Sequence, residues 1–251
     1  LYKDPGLFQT DIYNSPTQLW YFKFDAIDSR NYQSSSDINN FTIEKDDVNI
    51  QLISGNNTLV WRNGTDYATL KVNITDVDLD GPAQQANVTF WITMNASDSN
   101  SWDSGTVTLT GNDGIAQYDF DPGCPYTVGV QKWRVATVPN ALFKSVESEN
   151  FTLTIKAPFT LNITYPNGQA FLIGTKIPFV GIIKMEDECG YVVGASVSFK
   201  DNYGAAWYSC TPVTDLGNGT YNCTFDTTNR PYKWHNIKMI ASKPYYNTYP
   251  T

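Results

Sequence analysis

An internal repeat constrains this chain more than any other feature of its sequence. The same order of features occurs three times, in residues 6–24, 114–138 and 219–242. Each copy begins with a glycine and a short alternating strand, continues through a proline-containing loop, and enters a second strand through a tryptophan. Two further segments, residues 48–81 and 159–190, align with each other. A recurrence at a spacing of about 110 residues is typical of tandem modules. We therefore expect an array of similar units.

The repeat predicts three segments. Residues 1–46 are the C-terminal strands of a preceding module, residues 47–157 are one complete module, and residues 158–251 are a second module that lacks its last strand. On this interpretation the chain is a piece of a longer polypeptide. An alternative is that the N-terminal strands of one copy complete the C-terminal module of another by strand addition to an open sheet edge, which would build a head-to-tail fibre.

Apolar and polar residues alternate along most segments, and this alternation predicts an all-β fold. In "TLKVNITD", for example, Leu70, Val72 and Ile74 share one face. Alternation with period two is the pattern of a half-buried strand. Short strands separated by Gly, Pro and Asn turns, without helical periodicity, indicate β-sandwiches with about seven strands in each module.

The charge balance excludes two classes of partner. Asp and Glu together number 25 against 17 Lys and Arg, so the formal net charge is −8. An acidic surface of this kind disfavours electrostatic capture of nucleic acid or of an anionic membrane. No stretch approaches the 18 or so continuous apolar residues of a membrane-spanning helix, so we expect no direct membrane insertion.

Asparagine sequons indicate the compartment. Ten Asn-x-Ser/Thr sequences are present: Asn40, Asn56, Asn63, Asn73, Asn87, Asn95, Asn150, Asn162, Asn218 and Asn222. Where they fall in alternating strands, they take the face opposite the apolar set, and a bulky N-linked glycan requires an exposed position of this kind. We therefore predict an extracellular, cell-surface glycoprotein that carries N-linked glycans.

The cysteines fit the same compartment. The chain has Cys124, Cys189, Cys210 and Cys223, none in a CxxC pair, and His235 is its one histidine. A zinc site is therefore not expected, whereas disulfide bonds are common in secreted proteins.

Three pieces of each module carry a family resemblance. They are an acidic, glycine-containing loop that leads into a strand such as "ANVTF", a strand of the form "GIAQYDF", and a last strand entered through an aromatic residue. This order resembles the immunoglobulin-like domains of bacterial invasins and intimins and the similar repeats of archaeal surface-layer (S-layer) glycoproteins. The resemblance implies tandem immunoglobulin-like β-sandwiches in a structural or adhesive surface protein.

In a sandwich of this kind, with strands lettered A to G, the E–F loop faces the next module and the B–C loop faces the previous one. Cys124 lies in the E–F loop of the first module and Cys189 in the B–C loop of the second, so the two should meet at the junction. Cys210 and Cys223 flank the turn "DLGNG" and should face each other across a D–E hairpin. Of the three possible pairings we therefore expect Cys124–Cys189 and Cys210–Cys223.

The turn "DVDLDG" has the spacing of carboxylates that can surround Ca²⁺. Asp76, Asp78 and Asp80 would be the ligands, and the ion would stiffen the junction with the preceding module. Residue twelve of the loop is Asn87 instead of a bidentate glutamate, so this is not an EF-hand. The alternative interpretation is a solvated acidic turn without any bound cofactor.

The tryptophans divide into two groups. Trp20, Trp133 and Trp234 occupy one place in the repeat, where they pack in the core or form a platform for sugars. Trp91 alternates out of phase with Phe90 and Ile92, so it should lie on the outer face, available to a glycan or a neighbouring subunit.

We predict no enzymatic activity, because a catalytic triad would have to use His235, which follows Trp234 on a predicted core strand, and no GxSxG sequence accompanies it.

The leading hypothesis is a structural segment of an S-layer-like or stalk protein. Its partners would be neighbouring modules of the same polypeptide and identical subunits. The alternatives are an adhesin that binds a glycan or protein ligand, and an accessory region of a large secreted hydrolase.

Overall fold

The structure is a computed structural model that describes residues 17–138, 142–186 and 189–248. The first part of the N-terminal repeat copy, residues 6–16, lies outside these ranges. The N-terminal segment contributes four strands: β1 (Thr17–Phe22), β2 (Asp25–Ile27), β3 (Gln33–Ser35) and β4 (Asn39–Glu44). β1 pairs with β4, and β2 pairs with β3, both in antiparallel fashion.

The next strands form a first sandwich. They are β5 (Val48–Ser54), β6 (Thr58–Trp61), β7 (Ala68–Asp76), β8 (Gly81–Pro82), β9 (Asn87–Ile92), β10 (Thr106–Leu109), β11 (Ile115–Phe120), β12 (Gly129–Ala136) and the first half of β13 (Phe151–Tyr165). One sheet has the order β11-β7-β5, and the other has the order β10-β9-β12-β13. β6 joins the second sheet by pairing in parallel with β13. This strand order is that of an immunoglobulin-like sandwich.

The remaining strands form a second sandwich. They are the second half of β13, β14 (Lys176–Met185), β15 (Ser196–Asn202), β16 (Trp207–Cys210), β17 (Thr214–Asp215), β18 (Thr220–Asp226), β19 (Asn236–Ser242) and β20 (Tyr246–Thr248). One sheet continues from β13 through β14 and β18 to β17, and the other has the order β16-β15-β19. The predicted all-β immunoglobulin-like fold is thus confirmed.

Each sandwich has its own apolar core. The first core contains buried residues between Val48 and Ile155, and the second contains buried residues between Ala157 and Tyr246. The alternation seen in the sequence explains the first: Leu70, Val72 and Ile74 of β7 are fully buried, because successive side chains of a strand point to opposite faces.

Trp133 is the largest fully buried side chain of the first core. Its ring centroid lies 4.7 Å from that of Phe151 and 6.3 Å from that of Phe90. The indole Nε1 donates a hydrogen bond to the carbonyl of Gly55 at 3.1 Å, so its one polar group is satisfied. The backbone register places Trp133 opposite Phe151, and the same register places Trp20 opposite Phe41. The β1–β4 hairpin therefore corresponds to the last two strands of the first sandwich.

The expectation that Trp234 packs in the core is wrong. Trp234 is 85% exposed and precedes β19, which begins at Asn236. Ile237 takes the place of Trp133, since β19 pairs Met239 with Phe199 as β12 pairs Val135 with Phe90. The tryptophan lies three positions too early to reach the core.

Two glycines show the repeat at atomic level. The carbonyl of Gly114 accepts a hydrogen bond from the amide of Ile74 at 2.8 Å, and the carbonyl of Gly219 accepts one from the amide of Ile183 at 2.9 Å. Both glycines have positive φ, at 74° and 78°. A Cβ atom on Gly219 would lie 2.5 Å from the Cβ of Tyr191. Only glycine fits both the backbone conformation and the space.

We therefore expect Gly219→Ala to destabilise the second sandwich more than Gly168→Ala does. Gly168 also has positive φ, at 77°, but a Cβ atom added to it would have no other atom within 4 Å. The Gly168 variant should lose only the backbone preference, about 1–2 kcal/mol. The Gly219 variant should lose that and at least about 1 kcal/mol more from steric overlap. Urea unfolding of both variants measures the difference, and equal losses would contradict the prediction.

Candidate functional site at the junction of the two sandwiches

The two sandwiches share one strand. β13 spans 15 residues, and it pairs with β12 in its first half and with β14 in its second. Its odd-numbered residues face inward throughout, first to the core that contains Leu153 and Ile155 and then to the core that contains Ala157 and Phe159. A hydrogen-bonded strand therefore takes the place of a flexible linker.

A disulfide bond crosses the junction beside this strand. Cys124, in the loop between β11 and β12, is bonded to Cys189, in the loop after β14. Their Cα atoms are 5.2 Å apart, and 65 positions separate them in the sequence. The bond joins the E–F loop of the first sandwich to the B–C loop of the second, as expected from the sequence.

A buried ion pair lies at the same junction. Arg62, just after β6, pairs through Nε with Glu186, just after β14, and the two side chains are only 5% and 1% exposed. Arg62 also donates from Nη1 to the carbonyl of Tyr126 at 2.6 Å, and its own amide donates to the carbonyl of Lys156 at 2.7 Å. Charges removed from water in this way are tolerated only when paired and hydrogen-bonded. The pair thus specifies how the two sandwiches fit together.

Sequence reasoning missed this pair. In "TLVWRNG" the arginine follows an apolar strand and precedes a turn, a position that is also typical of solvent-exposed arginines. Glu186 lies in an acidic run and carries no signal of burial. One oxygen of Glu186, Oε2, is buried and has no hydrogen-bond partner among the described residues.

The last strand completes the junction. β20 pairs in parallel with residues 157–159 of β13. Tyr246 at its start is 8% exposed, and its hydroxyl lies 3.8 Å from the Sδ of Met185. Burial raises the pKa of this tyrosine, although the nearby Arg62 guanidinium acts in the opposite direction. The hydroxyl therefore stays protonated at neutral pH.

The second disulfide bond has the expected partners but not the expected place. Cys210 ends β16, and Cys223 lies in β18, so the bond joins the two facing sheets of the second sandwich. The expected D–E hairpin is formed by β17 and β18, with Thr214 opposite Asn222. The expectation that the bond spans this hairpin is wrong, because Cys210 belongs to the other sheet.

In the predicted calcium-binding turn, the first carboxylate is hydrogen-bonded to the backbone of the turn itself. Asp76 is 7% exposed, and its Oδ1 accepts hydrogen bonds from the amides of Asp78 and Leu79 at 2.9 and 3.0 Å. Asp78 and Asp80 are exposed. Among the described residues, no three acidic, histidine or cysteine side chains converge as metal ligands. Calcium binding at this turn stays a prediction.

The carboxyl group of Asp46 has a pKa above its usual value. Partial desolvation is the main cause, and the negative charges of Asp76, Asp78 and Asp47 add to it, while Lys144 acts in the opposite direction. Because the folded state holds this proton more tightly than the unfolded chain, the stability contributed by Asp46 falls as the pH rises from about 3.9, the unfolded value, through the folded pKa.

We therefore expect Asp46→Asn to stabilise the first sandwich at neutral pH and to have little effect at about pH 3, where the carboxyl group is protonated in both states. Urea unfolding at the two pH values measures this. Asp37→Asn, which removes an exposed carboxylate from the N-terminal segment, is the control. Destabilisation by Asp46→Asn at neutral pH would contradict the prediction.

None of the ten sequon asparagines is buried. Six are exposed, namely Asn40, Asn56, Asn95, Asn150, Asn162 and Asn218, and four are half-buried, namely Asn63, Asn73, Asn87 and Asn222. Asn73 is the least accessible in one respect, since its Oδ1 is buried without a hydrogen-bond partner among the described residues. Which of the ten carry glycans stays a prediction.

Trp91 lies on the outer face of its sheet, between buried neighbours, as expected. The guanidinium of Arg134 lies 5.6 Å from its ring centroid and 4.5 Å from that of Trp102. Arg134 also pairs with Glu147. The side chain of Trp20 lies outside the described part of the chain. Whether any of these tryptophans binds a ligand stays a prediction.

The expectation that His235 lies on a core strand is wrong. It precedes β19, and its Nδ1 lies 2.9 Å from Oδ1 of Asp201, whose side chain is fully buried. Asp201 occupies the position that Ile92 holds in the first sandwich. The histidine thus partners a buried carboxylate, which the alternating pattern "SVSFKDN" did not reveal.

No family model and no curated protein matches the chain. Its structure is similar to that of invasin, a bacterial integrin-binding protein, with 15% identity and a TM-score of 0.42, over 77% of this chain and 36% of that one. It is also similar to a tetra-tandem repeat from the extending region of a large adhesion protein, with 12% identity and a TM-score of 0.44, over 90% of this chain and 56% of that one. The D0–D1 domain of intimin matches with 13% identity and a TM-score of 0.30, over 80% of this chain and 93% of that one.

Invasin and intimin, whose repeats the sequence resembles, are thus among the structural neighbours. The chain spans about a third of the invasin structure and about half of the tandem-repeat structure. Within the described ranges, no helix has the length and hydrophobicity needed to cross a membrane.

Proposed function

We propose that this chain is a structural segment of an extracellular, N-glycosylated surface protein of the S-layer or stalk kind. Tandem sandwiches would build a rod of constant shape, so the role is mechanical and not catalytic. The partners would be neighbouring modules of the same polypeptide and identical subunits.

The junction supports this proposal best. A continuous strand, a disulfide bond and a buried ion pair connect the same two sandwiches. Module interfaces within a chain are commonly small and polar and allow movement. A junction with three separate connections is expected where function requires a fixed angle between modules, as in a rod that bears load.

Glycans are the second part of the proposal. Six of the ten sequon asparagines are exposed, and they are spread over the N-terminal segment and both sandwiches, which leaves room for N-linked glycans on the outer faces. Protein from a glycosylating secretory host should lose mass on enzymatic deglycosylation. An unchanged mass would remove this part and leave the mechanical part standing.

Rigidity can be measured in solution. We expect small-angle X-ray scattering of the intact chain to be reproduced by one angle between the sandwiches. The variant Cys124→Ser/Cys189→Ser/Glu186→Gln should require a range of angles, because both side-chain restraints are then lost. The fold within each sandwich should remain, as judged by far-UV circular dichroism.

The second disulfide bond supplies the matched control. Cys210→Ser/Cys223→Ser should lower the stability of the second sandwich by about 2–3 kcal/mol and leave the scattering unchanged, because this bond joins two strands of the same sandwich. A range of angles in the unmodified chain would refute the proposed function.

An adhesin is the second candidate function. It is favoured by the outer-face group in which the Arg134 guanidinium lies over the rings of both Trp91 and Trp102, since indole rings and a guanidinium suit contact with a sugar. Binding of the chain to a glycan array, lost on Trp102→Ala, would support it.

A further inference from the structure

The far end of the second sandwich carries an exposed aromatic surface. We call it the end face, and it consists of Leu172, Ile173, Tyr203, Trp207, Tyr208, Arg230, Tyr232, Lys233 and Trp234. Tyr232 is 92% exposed, Trp234 is 85% exposed and Leu172 is 83% exposed. Apolar surface of this extent, concentrated at one place, marks an interaction site in most soluble proteins.

Side-chain contacts hold the loops of the end face together. Thr227 donates from Oγ1 to the carbonyls of Leu172 and Thr175, at 3.3 and 2.9 Å. The Arg230 guanidinium lies 4.7 Å from the ring centroid of Tyr208, and the rings of Tyr203 and Tyr208 are stacked at 5.0 Å. The surface is thus built before any partner arrives.

The repeat indicates what the end face is for. The same loop of the first sandwich reads Cys124-Pro125-Tyr126, where the second reads Arg230-Pro231-Tyr232. In the first sandwich this loop docks on the B–C loop of the second through the Cys124 disulfide bond. Its Tyr126 carbonyl also accepts a hydrogen bond from Arg62, which pairs across the junction with Glu186. In the second sandwich the same surface has no partner within the described residues.

A complementary surface lies at the opposite end of the first sandwich. The turn Asp76–Gly81 is the B–C turn of the first sandwich, and it matches the B–C loop of the second, whose Glu186 and Cys189 make contacts at the junction. The match rests on equivalent hydrogen bonds, from Ala83 to Ile74 at 3.0 Å and from Val192 to Ile183 at 3.1 Å.

This acidic turn suits the end face in charge and in hydrophobicity. Its sequence alternates three aspartates with two apolar residues, and Val77 is 56% exposed and Leu79 is 80% exposed. The end face offers Arg230 and Lys233 among its aromatic rings. Carboxylates would meet cations, and apolar tips would meet aromatic rings.

We propose that two copies of this chain associate head to tail, with the acidic turn of one copy docked on the end face of the other. This inference rests on the proposed function, since it names the partner of the rod. The contact is heterologous, so repeated docking extends a filament instead of closing a dimer.

Sedimentation velocity of the full chain over a range of concentrations tests the proposal. We expect species larger than the monomer to grow with concentration and to decline at high salt, because exposed charges are screened. Trp234→Ser should weaken association by about tenfold or more, and Asp78→Lys/Asp80→Lys should do the same. Ile240→Ser, which changes an exposed isoleucine (43% exposed) in the middle of β19, away from both surfaces, should have no effect.

A mixture gives the sharpest outcome. The Trp234 variant keeps its acidic turn and the Asp78/Asp80 variant keeps its end face, so equal amounts of the two should form a dimer that cannot grow further. Near-UV circular dichroism checks that each variant is folded. A monomeric unmodified chain, or association that the aspartate variant leaves unchanged, would overturn the proposal. Such a result would leave the scattering test of the rod unaffected.

Discussion

Replacing Trp133 with alanine is expected to lower the free energy of unfolding of the first sandwich by about 3–5 kcal/mol. The side chain is fully buried between Phe90 and Phe151, so its removal leaves a cavity in a core shared by both sheets. The hydrogen bond to Gly55 is lost as well, which leaves the glycine carbonyl without this donor. Urea unfolding followed by circular dichroism measures the loss.

Trp234→Ala is the matched control for this change. The sequence repeat aligns the two tryptophans, but Trp234 is 85% exposed. Its removal should change stability by no more than about 0.5 kcal/mol, as for most surface substitutions. Equal losses at the two positions would mean that the place of a tryptophan in the repeat, and not its burial, decides its contribution to stability.

Glu186→Gln is expected to destabilise the junction by about 3–5 kcal/mol, because it leaves the buried guanidinium of Arg62 without a counter-charge. The substitution keeps the shape of the side chain, so the loss reports charge and not packing. The two sandwiches should then unfold in separate steps, in place of the single transition expected when a junction couples them. Differential scanning calorimetry distinguishes one transition from two.

Two further variants test the cause. Arg62→Met/Glu186→Met removes both charges and should recover most of the loss, since apolar replacement of a buried pair is often neutral. Glu147→Gln breaks the half-exposed pair with Arg134 and should cost less than about 1 kcal/mol. If Glu186→Gln cost no more than Glu147→Gln, the junction would not depend on its ion pair.

The wrong expectations from the sequence have physical causes. Trp234 aligns with Trp133 because both follow a Pro-Tyr loop, but the loop of the second sandwich delays the start of β19 until Asn236. Cys210 and Cys223 flank one turn in the sequence, which suggests a hairpin, whereas the strand of Cys210 belongs to the opposite sheet. In each case, the position of a residue beside a loop or turn did not determine the strand or sheet to which it belongs.

The sequence by itself determined the all-β class, the repeat and the partners of the cysteines. These properties are local or periodic: alternation specifies which face of a strand is buried, and a repeated order of strands specifies which loops lie at the same end. Only the tertiary structure decided that Arg62 and Glu186, 124 positions apart, are buried against each other, and that Asp201 is enclosed beneath His235. Burial of a charge depends on which strands and loops meet in the folded chain. No periodic pattern along the chain records that meeting.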